Sequence, residues 1–433
     1  MASHRQLAPA MLKAIQDDAD LSTKSLDQQF EKLLLQPLSE GEQYETTSVI
    51  VIDALDECED DDIGFLLRLL PQLQKSKSIH LRIFLTSRPE LSIREGFEEN
   101  KDHQDIVLHQ VPSIEHDIRV FLQHRLSHIR EKGKAAGDWP GDEKMETLVK
   151  MAVPLFIFAA TICRFVEERY HVPEHQLDII LQKPDMTASS QMEKIYLPIL
   201  KHCVESSGFL KNEFRKIVGS IILLADPLSV HSLSGLLGME ERSLTALLDA
   251  FHSVLDVPRD TCMPVRILHL SFREFLINTQ EQDLRVNEKE THGKLLYNCL
   301  LVMKDSTMGL TQNICRLSSY GIQREDVDSH TISQHISQVL RYSCRYWAYH
   351  FQKSESDASE REVFTFLKEH FLHWLEAMSL IGLASETVGT INALRSELIG
   401  NISTELAGFL QDANRFLLKH IQMINNTPLQ KDI

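Results

Sequence analysis

The amino-acid sequence predicts an α/β unit near the N-terminus, followed by a chain that is mainly α-helical. Two apolar runs, SVIVIDA (48–54) and IHLRIFLTS (79–87), predict strands, and the residues between them have helical apolar spacing. From about residue 113 onward, apolar residues recur with the period of an amphipathic helix. The predicted fold class is therefore α/β followed by mainly α.

The predicted α/β unit contains three strands and the helices around them. Residues 8–40 are predicted to be helical, and IGFLLRLLPQLQ (63–74) predicts the helix between the first two strands, with Pro71 as a kink or stop. DIVLHQV (105–111) is predicted to be the third strand. Because the apolar runs are continuous instead of alternating, we expect parallel strands that are buried on both faces.

The helical part also contains a short β-ribbon. Its first helices are predicted at 114–131, 143–152, 155–170, 174–182 and 190–206. Three further helices follow at 214–226, 231–238 and 241–255, and PVRILHL (264–270) is predicted to be a strand. Three helices followed by a ribbon are the pattern of a winged helix. The last 140 residues are again helical and include the aromatic clusters RYWAYHF (345–351) and FLKEHFLHWLEA (366–377).

Charge and composition exclude several classes of partner. The 433 residues carry a formal net charge of -17, which repels nucleic acid and anionic membrane. The longest nearly uninterrupted apolar run, VPLFIFAATIC (153–163), is too short to span a bilayer. The seven cysteines form no C-x-x-C pair, which favours reduced thiols. We therefore expect a cytoplasmic protein with no nucleic-acid or membrane partner.

The first strand ends in a group of carboxylates, VIVIDALDECED (49–60). A parallel strand that ends in Asp53 places this carboxylate at the carboxyl edge of the sheet, where open α/β sheets bind ligands. In a P-loop NTPase such a residue holds Mg²⁺, and acidic residues just beyond, here Asp56 and Glu57, can polarise the attacking water. The alternative is an acidic solvated loop. A calcium loop is not favoured, because the required carboxylate spacing is missing.

The second strand ends in polar residues at the same predicted edge. Its apolar run ends in Thr86, Ser87 and Arg88, about thirty residues after Asp53. The planar guanidinium of Arg88 can donate two hydrogen bonds to a phosphate and stays charged. The alternative is that Arg88 only pairs with the acidic loop.

Together these segments resemble a known NTPase family. VIVIDALDECED followed by LRIFLTSRPE (81–90) resembles the Walker B and sensor 1 pair of NACHT domains, the NTPase module of STAND-class signalling ATPases. The sequences of these two segments are similar to those of fungal NACHT proteins related to heterokaryon-incompatibility factors. The resemblance implies a partial P-loop NTPase parallel sheet, with Asp53 as the metal ligand, Asp56 and Glu57 as catalytic residues and Arg88 as a nucleotide-binding residue.

Later segments extend the resemblance. AVPLFIFAATICRFV (152–166) is similar to the family's helical-subdomain motif, whose proline packs against the nucleotide; this would be Pro154. Residues 209–280 are similar to its winged-helix subdomain. HLSFREFL (269–276) is similar to its closing motif, in which a histidine reaches the diphosphate of ADP; this would be His269. The alternatives are a first-turn helix proline and a hydrogen-bonded core histidine in an apolar strand. For Asp56 and Glu57 the alternative is a cap of the following helix.

The resemblance also implies a division of the chain and a set of ligands. The division is a partial NACHT core (1–112), a helical subdomain (113–189), a winged-helix subdomain (190–282) and a C-terminal helical region (283–433). The implied cofactors are ATP or ADP with Mg²⁺. The implied partners are proteins, either further copies of the chain or a signalling partner.

One motif of the family is missing. A phosphate-binding loop reads G-x-x-x-x-G-K-[ST], and the sequence contains none. We therefore expect a truncated NACHT protein, without its P-loop and C-terminal repeats, and weak or no nucleotide binding and hydrolysis by the chain alone. Two functions follow: a fragment of a nucleotide-dependent signalling switch, or a non-catalytic helical interaction module or incomplete gene product. A DNA-binding winged helix is a third and poorer match, since its third helix region is acidic.

Overall fold

The computed structural model describes most of the chain in two compact units. It describes residues 4–18, 21, 25–39, 47–58, 60–73, 80–98, 103–134, 137–168, 171–181, 191–205, 208–354, 357–397 and 404–429. The units are Met1–Val107 and Leu108–Ile433.

The first unit has a two-stranded parallel sheet, as the apolar runs predicted. Its strands are β1 (Thr47–Ile52) and β2 (His80–Leu85), in register from Thr47 opposite His80 to Ile52 opposite Leu85. Its helices are α1 (His4–Asp17), α2 (Leu26–Phe30), α3 (Gln36–Ser39), α4 (Asp60–Leu73) and α5 (Leu91–Glu98), with a π-helical turn between α2 and α3. Helix α4 continues beyond Pro71, so this proline is not the stop that the sequence suggested.

Among the described residues, one face of this sheet is covered. Alternate strand residues pack against leucines of α3 and α4 and against Phe30 of α2; these strand residues are Ile50, Ile52, Leu81, Ile83 and Leu85. On the other face, Val49, Val51 and Phe84 are 54%, 65% and 56% exposed. The expectation of a sheet buried on both faces was therefore wrong for this chain.

The predicted third strand is also absent. Residues 103–107 form no regular structure, and a 3-10 turn follows at Leu108–Gln110. Ile106 and Leu108 are 66% and 68% exposed. Among the described residues, β1 and β2 pair only with each other. A strand needs a neighbour for its N–H and C=O groups, so apolar sequence alone is not sufficient to form one.

The second unit is almost entirely helical. The ends of its first five helices agree with the predicted ends to within a few residues. Its helices are α6 (Ile114–Ile129), α7 (Asp142–Ala152), α8 (Phe156–Val166), α9 (Pro173–Leu181), α10 (Gln191–Glu205), α11 (Gly208–Leu223), α12 (Val230–Leu237), α13 (Glu241–Asp249), α14 (Leu270–Asn278), α15 (Glu288–Lys304), α16 (Ser329–His335), α17 (Gln338–Lys353), α18 (Asp357–Leu380), α19 (Glu386–Glu397) and α20 (Thr404–Asn426).

A small β-ribbon follows α13. Strands β3 (Leu255–Asp256) and β4 (Arg266–Ile267) pair antiparallel. Residue 229, just before α12, also forms a bridge with Pro264. The predicted third helix was too long at its end, and the predicted strand at 264–270 reduces to two residues, because α14 already begins at Leu270.

One hydrophobic core runs through the second unit. Its buried side chains extend from Ile118 to Ile424 and include the fully buried Trp347 and Trp374. The Trp374 indole donates a hydrogen bond to the Cys344 carbonyl, 2.8 Å away. Described residues before and after the predicted boundaries at 189 and 282 contribute to this one core, and the boundaries themselves stay predictions.

Two simpler expectations concern cysteines and membranes. All seven cysteines are free thiols, and five of them are buried. Within the described ranges, no helix combines the length and the apolar character needed to cross a bilayer.

Candidate functional site

Thr86 joins the carboxyl ends of the two strands. Its N–H donates to the Ile52 carbonyl, and its own carbonyl accepts from the Leu55 N–H, each over 3.0 Å. Its hydroxyl accepts from the Ala54 N–H over 2.8 Å and donates to the Asp53 carboxylate. The carboxylate that the sequence assigned to Mg²⁺ is thus held at the sheet edge by the neighbouring strand, and Asp53 is exposed there.

The turn after β1 requires an unusual backbone conformation. Ala54 has φ 53° and ψ 53°, in the left-handed region, and a 3-10 turn begins at Leu55. This conformation costs an L-residue roughly 1–2 kcal/mol. The two hydrogen bonds of the Thr86 hydroxyl offset part of that cost. Strained backbone that is held by its surroundings is frequent at functional sites, and here it fixes the direction in which Asp53 leaves the strand.

Asp56 and Arg88 form a pair at the same edge. The Arg88 N–H donates to Asp56 Oδ1 over 3.0 Å, and the Arg88 Nε lies 3.5 Å from Asp56 Oδ2. The Asp56 side chain is only 6% exposed, whereas the Arg88 side chain is 33% exposed. Asp56 is therefore engaged in holding Arg88, and the interpretation that Arg88 pairs with the acidic loop describes this structure.

Glu57 is a second exposed carboxylate near this edge, besides Asp53. It ends the 3-10 turn Leu55–Glu57, and α4 begins only at Asp60, so neither Asp56 nor Glu57 is the residue directly before that helix. Of the two predicted catalytic residues, only Glu57 has a side chain that is open to solvent.

The carboxylate at this edge suits Mg²⁺, an ion that is seldom enclosed by protein ligands alone. Mg²⁺ binds through one or two carboxylates together with waters and substrate phosphates. Asp53 offers such a carboxylate. In the part of the chain that the structure describes, no group of three or more His, Cys, Asp or Glu side chains could hold a metal ion by itself. A Mg²⁺ ion at Asp53 would therefore need further oxygens from a nucleotide and from water.

Pro154 lies in the second unit, in the turn between α7 and α8. The Gln191 side chain on α10 fixes this turn by donating to the carbonyls of Met151 and Val153, over 2.9 and 2.6 Å. Helix α8 begins at Phe156, so Pro154 precedes the helix and is half-buried. The alternative of a first-turn helix proline is therefore wrong.

His269 also lies in the second unit and caps a helix. It is exposed, and its Nδ1 accepts the Ser271 N–H over 3.1 Å at the start of α14. The Ser271 hydroxyl lies 2.7 Å from the same nitrogen and 2.9 Å from the buried Tyr196 hydroxyl. An accepting Nδ1 places the proton of the neutral ring on Nε2. The alternative of a core histidine in a strand is wrong, because the strand ends before it.

The predicted site residues thus fall into two groups. Asp53, Asp56, Glu57 and Arg88 share one sheet edge in the first unit. Pro154 and His269 belong to the second unit. Sequence reasoning noted Thr86 only as a polar residue, although a hydroxyl one residue beyond the neighbouring strand is well placed to bond a carboxylate there.

Comparisons with known proteins relate both units to one relative. Residues 1–88 match the family described as nephrocystin 3, N-terminal. Over 413 residues, the chain is 24% identical to the vegetative incompatibility protein HET-E-1 of Podospora anserina. The alignment covers 88% of this chain and 29% of HET-E-1, so the chain spans less than a third of the length of this relative.

Proposed function

We propose that this chain is part of a fungal NLR-like signalling switch of the NACHT type, acting in the cytoplasm through protein partners. The observation that carries the proposal is the Asp53 carboxylate, fixed by Thr86 at the carboxyl edge of a parallel sheet. The similarity to HET-E-1 over most of the chain supports the same class of function.

The residues of the first unit take distinct roles in this proposal. Asp53 holds Mg²⁺ on the phosphates of ATP or ADP. Glu57, which is also exposed, can orient water. Asp56 positions Arg88, whose partly exposed side chain carries a guanidinium of the kind that donates to phosphate oxygens. This assignment moves Asp56 from a catalytic to a positioning role, because its carboxylate already accepts the Arg88 N–H.

The second unit supplies the predicted winged helix and two further nucleotide-binding residues. The order of α11, α12, α13 and the ribbon supports a winged helix, and so does the bridge from residue 229 to Pro264. The nucleotide-contacting residues that we propose for this unit are Pro154 and His269. With Nδ1 accepting the Ser271 N–H, the neutral ring of His269 carries its proton on Nε2, and an N–H of this kind is a suitable donor for a diphosphate oxygen.

The surface of α13 argues against DNA binding by this winged helix. A concavity of about 590 Å³ there is lined by the carboxylates of Glu240, Glu241 and Asp249, with Arg242 as its one cation. The His231 ring lies 3.0 Å from the Glu241 carboxylate and is the main cause of the lowered pKa of Glu241. A surface with this balance of charge repels a phosphate backbone.

A second candidate function is a non-catalytic helical interaction module. It is favoured by the absence of a phosphate-binding loop from the 433 residues and by the engagement of Asp56 with Arg88. In this alternative the carboxylates at the sheet edge are structural, and the continuous helical core of the second unit is the functional part.

Phosphate release from ATP by the purified chain tests the proposed lack of turnover. We expect no release above background with Mg²⁺, because backbone amides that cradle the phosphates, and their lysine, are missing from the sequence. Asp53→Asn is the diagnostic variant, and Asp62→Asn on the exposed side of α4 is the matched control. Release that needs Mg²⁺, disappears in Asp53→Asn and persists in Asp62→Asn would show a complete active site.

A further inference from the structure

The uncovered face of the parallel sheet has an ordered pattern of side chains. By strand alternation, Val49, Val51 and Asp53 lie on this face of the first strand, and Arg82, Phe84 and Thr86 on that of the second. The register places Val49 beside Arg82 and Val51 beside Phe84. The face therefore has a cation at one end, apolar residues in the middle and a carboxylate at the other end.

Parallel sheets seldom leave a face in water. Their strands are usually covered on both sides, since the crossover connections place helices there. Here the middle of one face is apolar and more than half exposed at Val51 and Phe84. Within the described residues, Arg82 makes no hydrogen bond or ion pair. Both the apolar row and the cation remain available to another surface.

We propose that this face binds the same face of a second copy of the chain. In this arrangement the two sheets face each other across a two-fold axis that runs perpendicular to the strands, level with Val51 and Phe84. The axis places Val51 and Phe84 of one copy opposite the same two residues of the other copy. The same rotation brings Arg82 of each copy to the end at which the other copy carries Asp53 and Thr86. The Asp53 carboxylate already bonds to Thr86 and so leans toward the strand that faces the incoming arginine. The face is thus self-complementary in charge and in the position of its apolar row, as an isologous interface requires.

The interface is small, and we expect weak association. Three apolar side chains and one ion pair per copy bury much less than the roughly 800 Å² per partner of a standard interface. A dissociation constant on the order of 100 µM is reasonable for such an area. Dimer formation would also enclose Asp53, so the dimer and a Mg-nucleotide would compete for the same carboxylate. The proposal itself does not depend on nucleotide binding.

Disulfide trapping tests the position of the axis. In a chain with Cys58→Ser and Cys262→Ser, which removes the two exposed thiols, Val51→Cys should cross-link to its own mate under mild oxidation, because it lies next to the axis. Val49→Cys is the matched control: it lies on the same face and is 54% exposed, but the rotation carries it to the opposite end. We expect at least a tenfold faster cross-link for Val51→Cys.

Sedimentation of the full chain at rising concentration tests the association itself. We expect a reversible monomer–dimer equilibrium that Phe84→Asp abolishes and Arg82→Asp weakens, while Arg82→Asp combined with Asp53→Arg restores it. Circular dichroism of each variant shows whether it is folded. A monomer at all concentrations up to several times the expected dissociation constant would overturn the proposal. A dimer that survives Phe84→Asp, or equal cross-linking at positions 49 and 51, would also overturn it.

Discussion

The Thr86 hydroxyl donates to the Asp53 carboxylate and accepts from the Ala54 N–H, so one side chain directly after β2 fixes the turn that follows β1. Thr86→Val keeps the shape of the side chain but removes both hydrogen bonds. It leaves a backbone N–H without its acceptor in a left-handed turn, and we expect the first unit to lose about 1–3 kcal/mol of stability. Thr86→Ser keeps the hydroxyl and should lose much less.

Hydrogen exchange measures this effect where it should occur. In Thr86→Val, amides of residues 49–52 should exchange faster, while those of 214–223 in the second unit should not change. We also expect the strand amides to be less protected than the 214–223 amides in the unmodified chain, since a two-stranded sheet has few neighbours. Equal protection of the two segments would show that another strand completes the sheet.

The strands and most helices could be predicted because their information is local. The apolar runs of β1 and β2 end at Asp53 and Thr86, and this fixed where the carboxylate would lie. The helical period likewise located α6 to α10 within a few residues. In contrast, residues 105–111 have a strand-like sequence, but whether a strand forms depends on a neighbour that no local pattern specifies.

The geometry of the candidate site was only partly predictable for a related reason. Ala54 gives no indication of a left-handed turn, because alanine rarely adopts one; the turn depends on hydrogen bonds from a residue 32 positions away. The pairing of Asp56 with Arg88 was open, since both a free and a paired carboxylate fit the sequence. His269 was placed in a strand, because its apolar neighbours hid the boundary at which α14 begins.

A buried histidine pair should make the second unit sensitive to acid. The Tyr342 hydroxyl, which accepts the Ala225 N–H, lies 2.8 Å from His350 Nε2, and His350 Nδ1 lies 2.8 Å from His292 Nδ1. Burial lowers the pKa of His292 to about 4 and that of His350 to about 3. The nearby charges Arg273 and Lys353 also disfavour an added proton on His292.

The sign of the pH effect follows from these pKa values. An unfolded histidine titrates near a pKa of about 6.5, so between this pH and about pH 4 the unfolded chain binds more protons. Stability should therefore be full above pH 6.5 and fall as the pH drops, by up to about 1.4 kcal/mol per pH unit for each histidine. Urea unfolding at pH values from 7.5 to 4.5 measures this loss of stability. The free energy of unfolding of His350→Leu should change less steeply with pH than that of the unmodified chain. The exposed control His330→Gln should keep the slope of the unmodified chain. An unchanged slope in His350→Leu would contradict the account.

A buried carboxylate, Glu376, should give the opposite dependence of stability on pH. Glu376 is only 6% exposed and accepts the N–H groups of Asn313 and Ile314 over 3.0 and 2.9 Å. Burial raises the pKa of Glu376 to about 7. Because the unfolded group loses its proton near its ordinary pKa, the contribution of Glu376 is full below about pH 4.5 and is lost as the pH rises toward 7.

Glu376→Gln isolates this contribution. The amide keeps one acceptor oxygen and cannot ionise, so the stability of the variant relative to the unmodified chain should increase between pH 5 and pH 7. Glu369→Gln, an exposed position on the same helix, is the control and should show no such trend. A constant difference between Glu376→Gln and the unmodified chain over this pH range would mean that Glu376 does not titrate there.

Calorimetric titration of the chain with Mg-ADP and Mg-ATP tests the central claim, that Asp53 is a magnesium–nucleotide carboxylate in an incomplete site. We predict weak binding, with a dissociation constant above about 100 µM. This binding should require Mg²⁺, disappear in Asp53→Ala and persist in the control Asp62→Ala. Weak affinity is expected because a single carboxylate and Arg88 replace only part of the contacts that a phosphate-binding loop provides. Micromolar affinity that is lost in Asp53→Ala would contradict the claim that the site is incomplete. Binding that Asp53→Ala leaves unchanged would contradict the role of Asp53.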